Sequence, residues 1–209
     1  MNRTELFDNL REHSPLGPTL DQGEVDGVNI IVDAMHGLPV SWTAYALATA
    51  YHETAGTMKP IKERGSDAYF TRMYDVTGAS PDRARKHGNT LPGDGKLYCG
   101  RGYVQLTWAD NYQKVGKLID IDLVSRPDNA MDPMIAAEIM ANGMKNGWFT
   151  GKSFKDFLPN GIGTREEFKR ARAIINGSDR ADDIADYALL FQSALTAAEW
   201  GKKETLHTI

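Results

Sequence analysis

The sequence has only one cysteine, Cys99, among its 209 residues. A single thiol excludes an intramolecular disulfide and any multi-cysteine zinc site. No uninterrupted apolar run approaches the about 18 residues that a membrane-spanning helix needs. The polar amino terminus lacks the apolar segment of a secretory signal. From these features we expect a protein made in a reducing cytoplasm, without stable insertion into a membrane.

The sequence also lacks an excess of basic residues. It has 24 Lys and Arg residues against 28 Asp and Glu residues, which gives a formal net charge of -4. Nucleic-acid binders are normally basic, so we expect no nucleic-acid partner. Hydrophobic residues make up 41% and charged residues 25% of the chain, which is ordinary for a folded protein and excludes a disordered one.

Helical patterns dominate the chain. Asp21 with Glu24 and Thr164 with Glu167 have the spacing of capping boxes, which predicts a helix start at each pair. An apolar stretch opens near residue 41 and ends at Glu53, and its apolar character on all sides predicts a central, buried helix. Further helices are predicted near residues 4–13, 108–118, 133–144 and 184–198.

One tract, residues 56–102, has a different character. It holds eight of the 20 glycines, three prolines and few periodic apolar positions. We expect a loop-rich small lobe there, with a short β-hairpin or small helices, inserted in one catalytic domain that spans residues 1–209 and begins with helices in residues 1–40. Within this lobe, Tyr69 and Tyr74 fit either a core or a wall on which sugars stack.

Two glutamates, Glu53 and Glu63, are expected to have contrasting surroundings. Glu53 ends an apolar helix, and partial dehydration favours a protonated carboxyl, as a general acid needs. Glu63 lies between Lys62 and Arg64, whose positive charges favour the ionised form. Two carboxyls in such different environments are typical of glycoside hydrolysis. The alternative, that both are solvated surface charges, stays open at this point.

A second polar cluster lies in residues 99–112. Gln105 and Thr107 alternate with apolar residues, so one side of this segment is expected to face a polar cleft. Asn111 follows Thr107 by four residues, the spacing at which two side chains share a helix face. Amides, hydroxyls and aromatic rings in one segment suit sugar binding, although a strand-to-helix turn with a buried glutamine has the same pattern.

Several segments, taken in chain order, resemble the family 19 glycoside hydrolases, the chitinase family whose phage and prophage members are endolysins acting on peptidoglycan. The most specific is Gly-Arg-Gly-x-x-Gln-Leu-Thr at residues 100–107, followed by Asn111-Tyr112. The others are Tyr51-His52-Glu53-Thr54, Glu63 and Ile174-Ile175-Asn176-Gly177. The resemblance runs from about residue 41 to residue 200.

This resemblance implies an α+β, mainly α-helical, lysozyme-like fold with the glycine-rich small lobe flanking the cleft. It implies inverting hydrolysis of β-1,4 glycosidic bonds, for which two carboxyls suffice without a metal or an organic cofactor. In the family pattern, Glu53 is the acid, Glu63 the base, and Thr107 the hydroxyl that helps to hold the nucleophilic water. The implied substrate-binding residues are Arg101, Tyr103, Gln105, Asn111, Tyr112 and Asn176.

The sequence departs from the family pattern in three respects. Plant-type members place the two glutamates further apart and carry disulfides, and neither feature is present here. The family's serine at the water-holding position is Thr107, as in phage-type members. The family's basic residue in the last helix, which steers the base, has no direct match, and Arg180 is the nearest substitute.

We therefore expect a monomeric, endolysin-type hydrolase of bacterial peptidoglycan. It would stay in the host cytoplasm until release to the periplasm and cell wall, and a pore-forming partner, a holin, would provide the exit. Two alternatives stay open: a chitinase acting on N-acetylglucosamine polymers, and a non-catalytic glycan-binding protein of the same fold.

Overall fold

The computed structural model describes residues 1–13 and 15–201. The chain groups into two compact units. The first consists of residues 1–58 and the part from residue 141 onward, and the second consists of residues 59–140. In chain order the elements are α1 (Arg3–His13), α2 (Gln22–Ala34), α3 (Val40–Glu53), β1 (Ile61–Lys62), α4 (Asp67–Tyr74), α5 (Pro81–Lys86), α6 (Asp94–Leu97), β2 (Arg101–Gly102), α7 (Ala109–Ile119), a 3-10 helix (Pro127–Met131), α8 (Pro133–Asn146), α9 (Phe154–Phe157), α10 (Arg165–Ala171), a second 3-10 helix (Arg172–Ile174) and α11 (Ala181–Ala197).

The helix α3 is the centre of the first unit. Every residue from Val40 to Ala50 is buried, and the helix packs most extensively against α11 and also against α2. The Trp42 indole donates a hydrogen bond to the Leu158 carbonyl oxygen (2.8 Å) and stacks on Phe154. These contacts confirm the prediction of a central helix packed on several sides.

The end of α3 is fixed locally, and this places Glu53 in its last turn. The Thr54 N–H (3.0 Å) and hydroxyl (2.8 Å) both donate to the Ala50 carbonyl oxygen, and the hydroxyl oxygen accepts from the Met58 N–H (3.0 Å). Ala55 and Gly56 then adopt left-handed backbone conformations, with φ of 53° and 86°. A left-handed residue stops a helix, because it turns the following N–H groups back toward the last carbonyls.

Both predicted capping boxes are confirmed. Asp21 accepts from the Glu24 N–H, Thr164 accepts from the Glu167 N–H, and each glutamate side chain bonds back to its cap residue. One expected helix start differs, because α3 begins at Val40 rather than at Ser41. The Ser41 hydroxyl does not cap the helix but donates to the Asn160 carbonyl oxygen (2.9 Å).

The glycine-rich tract of the second unit contains the short helices α4, α5 and α6, as one of the two expectations had it. Its strands do not form a hairpin. Strand β1 instead pairs antiparallel with the distant β2, with Ile61 opposite Gly102 and Lys62 opposite Arg101. This pairing brings the segment that follows Lys62 beside the segment that precedes Arg101. None of the described helices is both long and apolar enough to cross a bilayer.

Asp75 organises the loops of the second unit. The side chain is buried, and its carboxylate accepts hydrogen bonds from the Thr77 N–H and hydroxyl and from the N–H groups of Gly93 and Gly95. Burial by itself disfavours the carboxylate, but these donors outweigh it and hold the pKa of Asp75 below its ordinary value. The carboxylate therefore stabilises the fold in its charged form.

We expect Asp75→Asn to lower the free energy of unfolding by about 3 kcal/mol at neutral pH, because an amide cannot accept from all four donors. The wild-type contribution should be complete above about pH 4 and be lost as the pH falls through the lowered pKa of the folded state. Urea unfolding at pH 7 and pH 3 measures both effects. Asp82→Asn, which changes an exposed aspartate of the same unit, is the control. Equal losses at both pH values would contradict this role.

Candidate active site

Glu53 is held by a buried arginine of the first unit. Its Oε1 atom accepts a hydrogen bond from Nη1 of Arg172 at 2.8 Å. The Arg172 side chain is 2% exposed and that of Glu53 is 18% exposed. The Arg172 Nε atom also donates to the Asp179 carbonyl oxygen at 2.9 Å, so the guanidinium is anchored at two points. A cation fixed in this way restricts the carboxyl group to one position.

The pairing changes one expectation from the sequence. Glu53 is indeed partly dehydrated, but a positive charge shares its site, which the apolar character of α3 did not indicate. Arg180, the expected substitute for the family's basic residue, forms an ion pair with Asp183 at 2.7 Å. Arg172 was missed, although one signal was available. It is the arginine within the otherwise apolar run from Ala171 to Ile175, where a charge requires a partner.

His52 precedes Glu53 on α3 and is half-buried. Burial lowers the pKa of His52 below its ordinary value, and the negative charge of Glu53 offsets only part of this effect. The imidazole is therefore a neutral neighbour of the carboxyl group. Within residues 1–13 and 15–201, no group of three or more His, Cys, Asp and Glu side chains is arranged to hold a metal ion.

Glu63 has three hydrogen-bond donors, all from the second unit. Its Oε1 atom accepts from the hydroxyls of Tyr69 (3.0 Å) and Tyr74 (2.8 Å), and its Oε2 atom accepts from the Gly100 N–H (3.1 Å). The Glu63 N–H in turn donates to the Gly100 carbonyl oxygen (2.8 Å), next to the β1–β2 pair. The carboxylate is thus fixed in orientation from two sides.

Within the described residues, neither flanking cation forms an ion pair with Glu63, and the close partners of its carboxylate are the three uncharged donors. Neighbouring residues of an extended chain point to opposite sides, and the Lys62 ammonium lies 3.8 Å from the carboxylate of Asp128. The hydrogen bond from the Gly100 N–H requires a glycine at this position. A Cβ atom there would lie 2.7 Å from Oε1 of Gln105 and 3.2 Å from Oε2 of Glu63. Without a side chain, the Gly100 N–H approaches the carboxylate directly.

The two tyrosines are partners of Glu63, a role that the sequence did not indicate, and both are partly exposed. The hydrogen bond to Glu63 raises the pKa of Tyr69 above its ordinary value. Burial, together with the same acceptor, raises the pKa of Tyr74. Both phenols therefore keep their protons and remain donors over the physiological pH range.

The segment between β2 and α7 carries two of the predicted polar residues. Gln105 and Thr107 are half-buried between the buried Val104, Leu106 and Trp108, so the expected alternation is present. The Gln105 amide nitrogen donates to the carbonyl oxygens of Ile61 (3.1 Å) and Gly102 (3.2 Å). The Thr107 hydroxyl donates to the Gln105 carbonyl oxygen (2.8 Å). With its proton used in this bond, the Thr107 hydroxyl can act toward a water or a ligand only as an acceptor.

Asn111 is close to Thr107, but not through a shared helix face. Thr107 precedes α7, and the Asn111 amide nitrogen donates to the Thr107 carbonyl oxygen at 2.8 Å. Asn176, in the first unit, is exposed and follows the 3-10 helix that contains Arg172; its N–H donates to the Arg172 carbonyl oxygen at 2.9 Å. Both side chains have surface available to a ligand.

Three residues expected to bind substrate are buried instead. Tyr103 and Tyr112 have no exposed surface, and Arg101 is 2% exposed. The Arg101 guanidinium donates to the carbonyl oxygens of Leu97 and Cys99 and to the Tyr112 hydroxyl (each 3.0 Å). Burial raises the pKa of Tyr103 to about 12. These side chains support the segment that carries Gln105, and none of them offers a face to a sugar.

Comparisons with known proteins show the family of the chain. The family model for class I chitinases, glycoside hydrolase family 19, matches residues 41–156. An endochitinase from Arabidopsis thaliana is 31% identical over 126 residues, which is 59% of this chain and 41% of the relative. Endochitinase 1 from Theobroma cacao is 51% identical over 43 residues, covering 20% of this chain and 13% of the relative. The matches thus span less than half the length of these relatives.

The fold is similar to that of a solved structure. The crystal structure of chitinase C from Streptomyces griseus superposes with a TM-score of 0.57 at 18% identity, over 96% of this chain and 78% of that one. This likeness confirms the predicted lysozyme-like, mainly helical fold. The family model covers more than half of the sequence and includes Glu53, Glu63 and the segment from Gly100 to Thr107. The chain belongs to glycoside hydrolase family 19, the class I chitinase family.

Proposed function

We propose that the protein hydrolyses β-1,4 glycosidic bonds of bacterial peptidoglycan by an inverting acid/base mechanism, as an endolysin-type enzyme. The observation that carries the proposal is the pair of carboxyl groups, each fixed by a different set of partners. Glu53 has a buried cation as its partner, whereas Glu63 has three uncharged donors. Two carboxyls with such different partners can take different roles, and the family pattern, rather than this contrast, assigns the acid to Glu53.

Glu53 is the proposed general acid. It donates its proton to the oxygen of the leaving sugar and becomes a carboxylate. The guanidinium of Arg172, 2.8 Å from Oε1, stabilises the negative charge that forms at that moment. Because Arg172 is already fixed by the Asp179 carbonyl oxygen, little reorganisation is needed during the reaction.

Glu63 is the proposed general base. It accepts one proton from a water molecule whose oxygen attacks the anomeric carbon from the face opposite the leaving group. The donors from Tyr69, Tyr74 and Gly100 orient the carboxylate for this step. Thr107 provides the second anchor of the water, since its own proton is bonded to the Gln105 carbonyl oxygen and its lone pairs can accept.

The choice of peptidoglycan rests on the sequence. Thr107 at the water-holding position matches the phage-type pattern, and the short spacing between Glu53 and Glu63 departs from the plant-type pattern. Chitin is the second candidate, and the names of the relatives favour it, because those relatives are endochitinases and a chitinase. Both substrates contain β-1,4-linked N-acetylhexosamines and would require the same chemistry.

The test compares purified Gram-negative peptidoglycan with colloidal chitin. We expect new reducing ends from peptidoglycan, identified by mass spectrometry of the released sugars, at a rate well above that on chitin. Inversion predicts that each new reducing end first appears as the α-anomer in proton NMR. If new reducing ends were released from chitin but not from peptidoglycan, chitin would replace peptidoglycan as the proposed substrate. An initial β-anomer would remove Glu63 from the role of base.

A further inference from the structure

The second unit contains an open cavity of about 730 Å³ that the proposed chemistry does not use. It is formed by β1, by the segment leading into α6, by α6 itself and by the 3-10 helix after α7. Two of its lining side chains are unusually exposed for leucines, Leu91 at 65% and Leu97 at 43%. Pro92 and Pro127 also line it. The cavity therefore has an exposed apolar part of its lining, which no described segment of this unit covers.

The rim of the cavity is basic, although the chain as a whole carries a net charge of -4. The exposed Lys62, Lys96 and Arg126 line it, together with the buried Arg101 and the acidic Asp94 and Asp128.

Both acidic side chains are already engaged. Asp128 is 2.7 Å from the Arg101 guanidinium and 3.8 Å from the Lys62 ammonium. Asp94 accepts hydrogen bonds from the N–H groups of Thr90 and Leu91 (each 2.8 Å). The residues that line the cavity therefore include two more cations than carboxylates.

The cations at the rim are available to a ligand to different degrees. The exposed Arg126 has no ion pair within 4 Å in the part of the chain that the structure describes. Lys96 pairs with Asp67 at 2.7 Å, but both side chains are more than half exposed, and an exposed pair of this kind is weak and easily exchanged. A planar guanidinium without a partner is suited to bidentate binding of a carboxylate.

We propose that this cavity binds a carboxylate-bearing peptide, the acidic stem peptide of peptidoglycan. The inference rests on the proposed function for the identity of the peptide. Stem peptides combine several carboxylates with small apolar side chains, which match the basic rim and the exposed apolar part of the lining. An uncharged chitin chain has no carboxylate that could pair with the basic side chains of the cavity. Lys62 of the cavity directly precedes Glu63 in the sequence, and its side chain is directed away from that of Glu63.

A binding experiment tests the proposal without glycan hydrolysis. The probe is a soluble stem tetrapeptide, measured by calorimetry at low salt, beside the same peptide with its carboxylates amidated. We expect the acidic peptide to bind and the amidated peptide to bind at least fivefold more weakly. Arg126→Gln should weaken binding of the acidic peptide about fivefold, and the double variant with Lys96→Gln more strongly. Lys117→Gln, which removes an exposed lysine of α7 outside the cavity, should have no effect.

The outcomes separate this inference from the proposed function. Equal affinity for both peptides, no binding, or binding unchanged by Arg126→Gln would overturn the cavity assignment, whatever the enzyme does to glycans. Binding that follows the expected order supports the assignment, even if peptidoglycan is not cleaved. Peptide binding without cleavage of peptidoglycan would contradict the proposed function and leave the binding site in place.

Discussion

Glu53→Gln is expected to lower the rate of peptidoglycan hydrolysis by about 10²–10⁴-fold, the usual contribution of a general acid. The amide has nearly the shape of the carboxyl group but no acidic proton. Its oxygen can still accept from Nη1 of Arg172, so the buried guanidinium keeps a partner and the fold should persist. Initial rates on purified peptidoglycan, together with circular dichroism and thermal unfolding, measure the two effects separately.

Glu166→Gln is the matched control, because it makes the same change at an exposed site in the first turn of α10 of the same unit. It should leave the rate unchanged. Sedimentation with insoluble cell walls adds a second readout. A Glu53→Gln protein that still binds walls but no longer cleaves them would discard the non-catalytic alternative. Retention of more than about a tenth of the wild-type rate would assign Glu53 a structural role only, because a general acid contributes more than this.

Glu63→Gln should impair hydrolysis to a similar degree, again about 10²–10⁴-fold. It also carries a structural cost that Glu53→Gln does not. All three partners of this carboxylate are donors, so the amide NH₂ group must face a hydroxyl or the Gly100 N–H. Loss of that hydrogen bond should lower the free energy of unfolding by about 1–2 kcal/mol. Urea unfolding and initial rates measure the two effects.

Chemical rescue distinguishes a lost base from a damaged fold. Azide is a nucleophile that needs no base, so it should restore part of the turnover in Glu63→Ala and give a glycosyl azide of α configuration. Glu138→Gln, an exposed change in α8 of the same unit, should behave as wild type. Failure of azide to restore any turnover in a Glu63→Ala protein of normal stability would contradict the assignment of Glu63 as the base.

The features predictable from the sequence are those that depend on neighbouring residues. The capping boxes at Asp21 and Thr164 involve partners three residues away, and both were found where the spacing placed them. The burial of α3 follows from its composition alone. In the same way, polar and apolar residues alternate around Gln105, and the structure shows the apolar ones more deeply buried than the polar ones.

The partners of the two glutamates were not predictable in this way. Arg172 lies 119 residues beyond Glu53 in the chain, and only the packing of the first unit brings them together. Tyr69 and Tyr74 are nearer to Glu63 in sequence, but α4 must form before their hydroxyls converge on one oxygen. The flanking charges of Lys62 and Arg64 suggested a simpler environment. An extended chain directs Lys62 away from its neighbour, so adjacency in sequence was misleading there.

The separate origin of these partners bears on how such a protein can change over generations. The described partners of Glu53 come from the first unit, and those of Glu63 from the second. If the proposed roles are correct, an inherited substitution near Arg172 would alter the surroundings of the proposed acid, and one near Tyr74 those of the proposed base. Selection for a more acidic or more alkaline habitat could therefore shift the acidic side or the alkaline side of the pH–activity curve separately. The division of the chain into two units would make the enzyme easier to adapt.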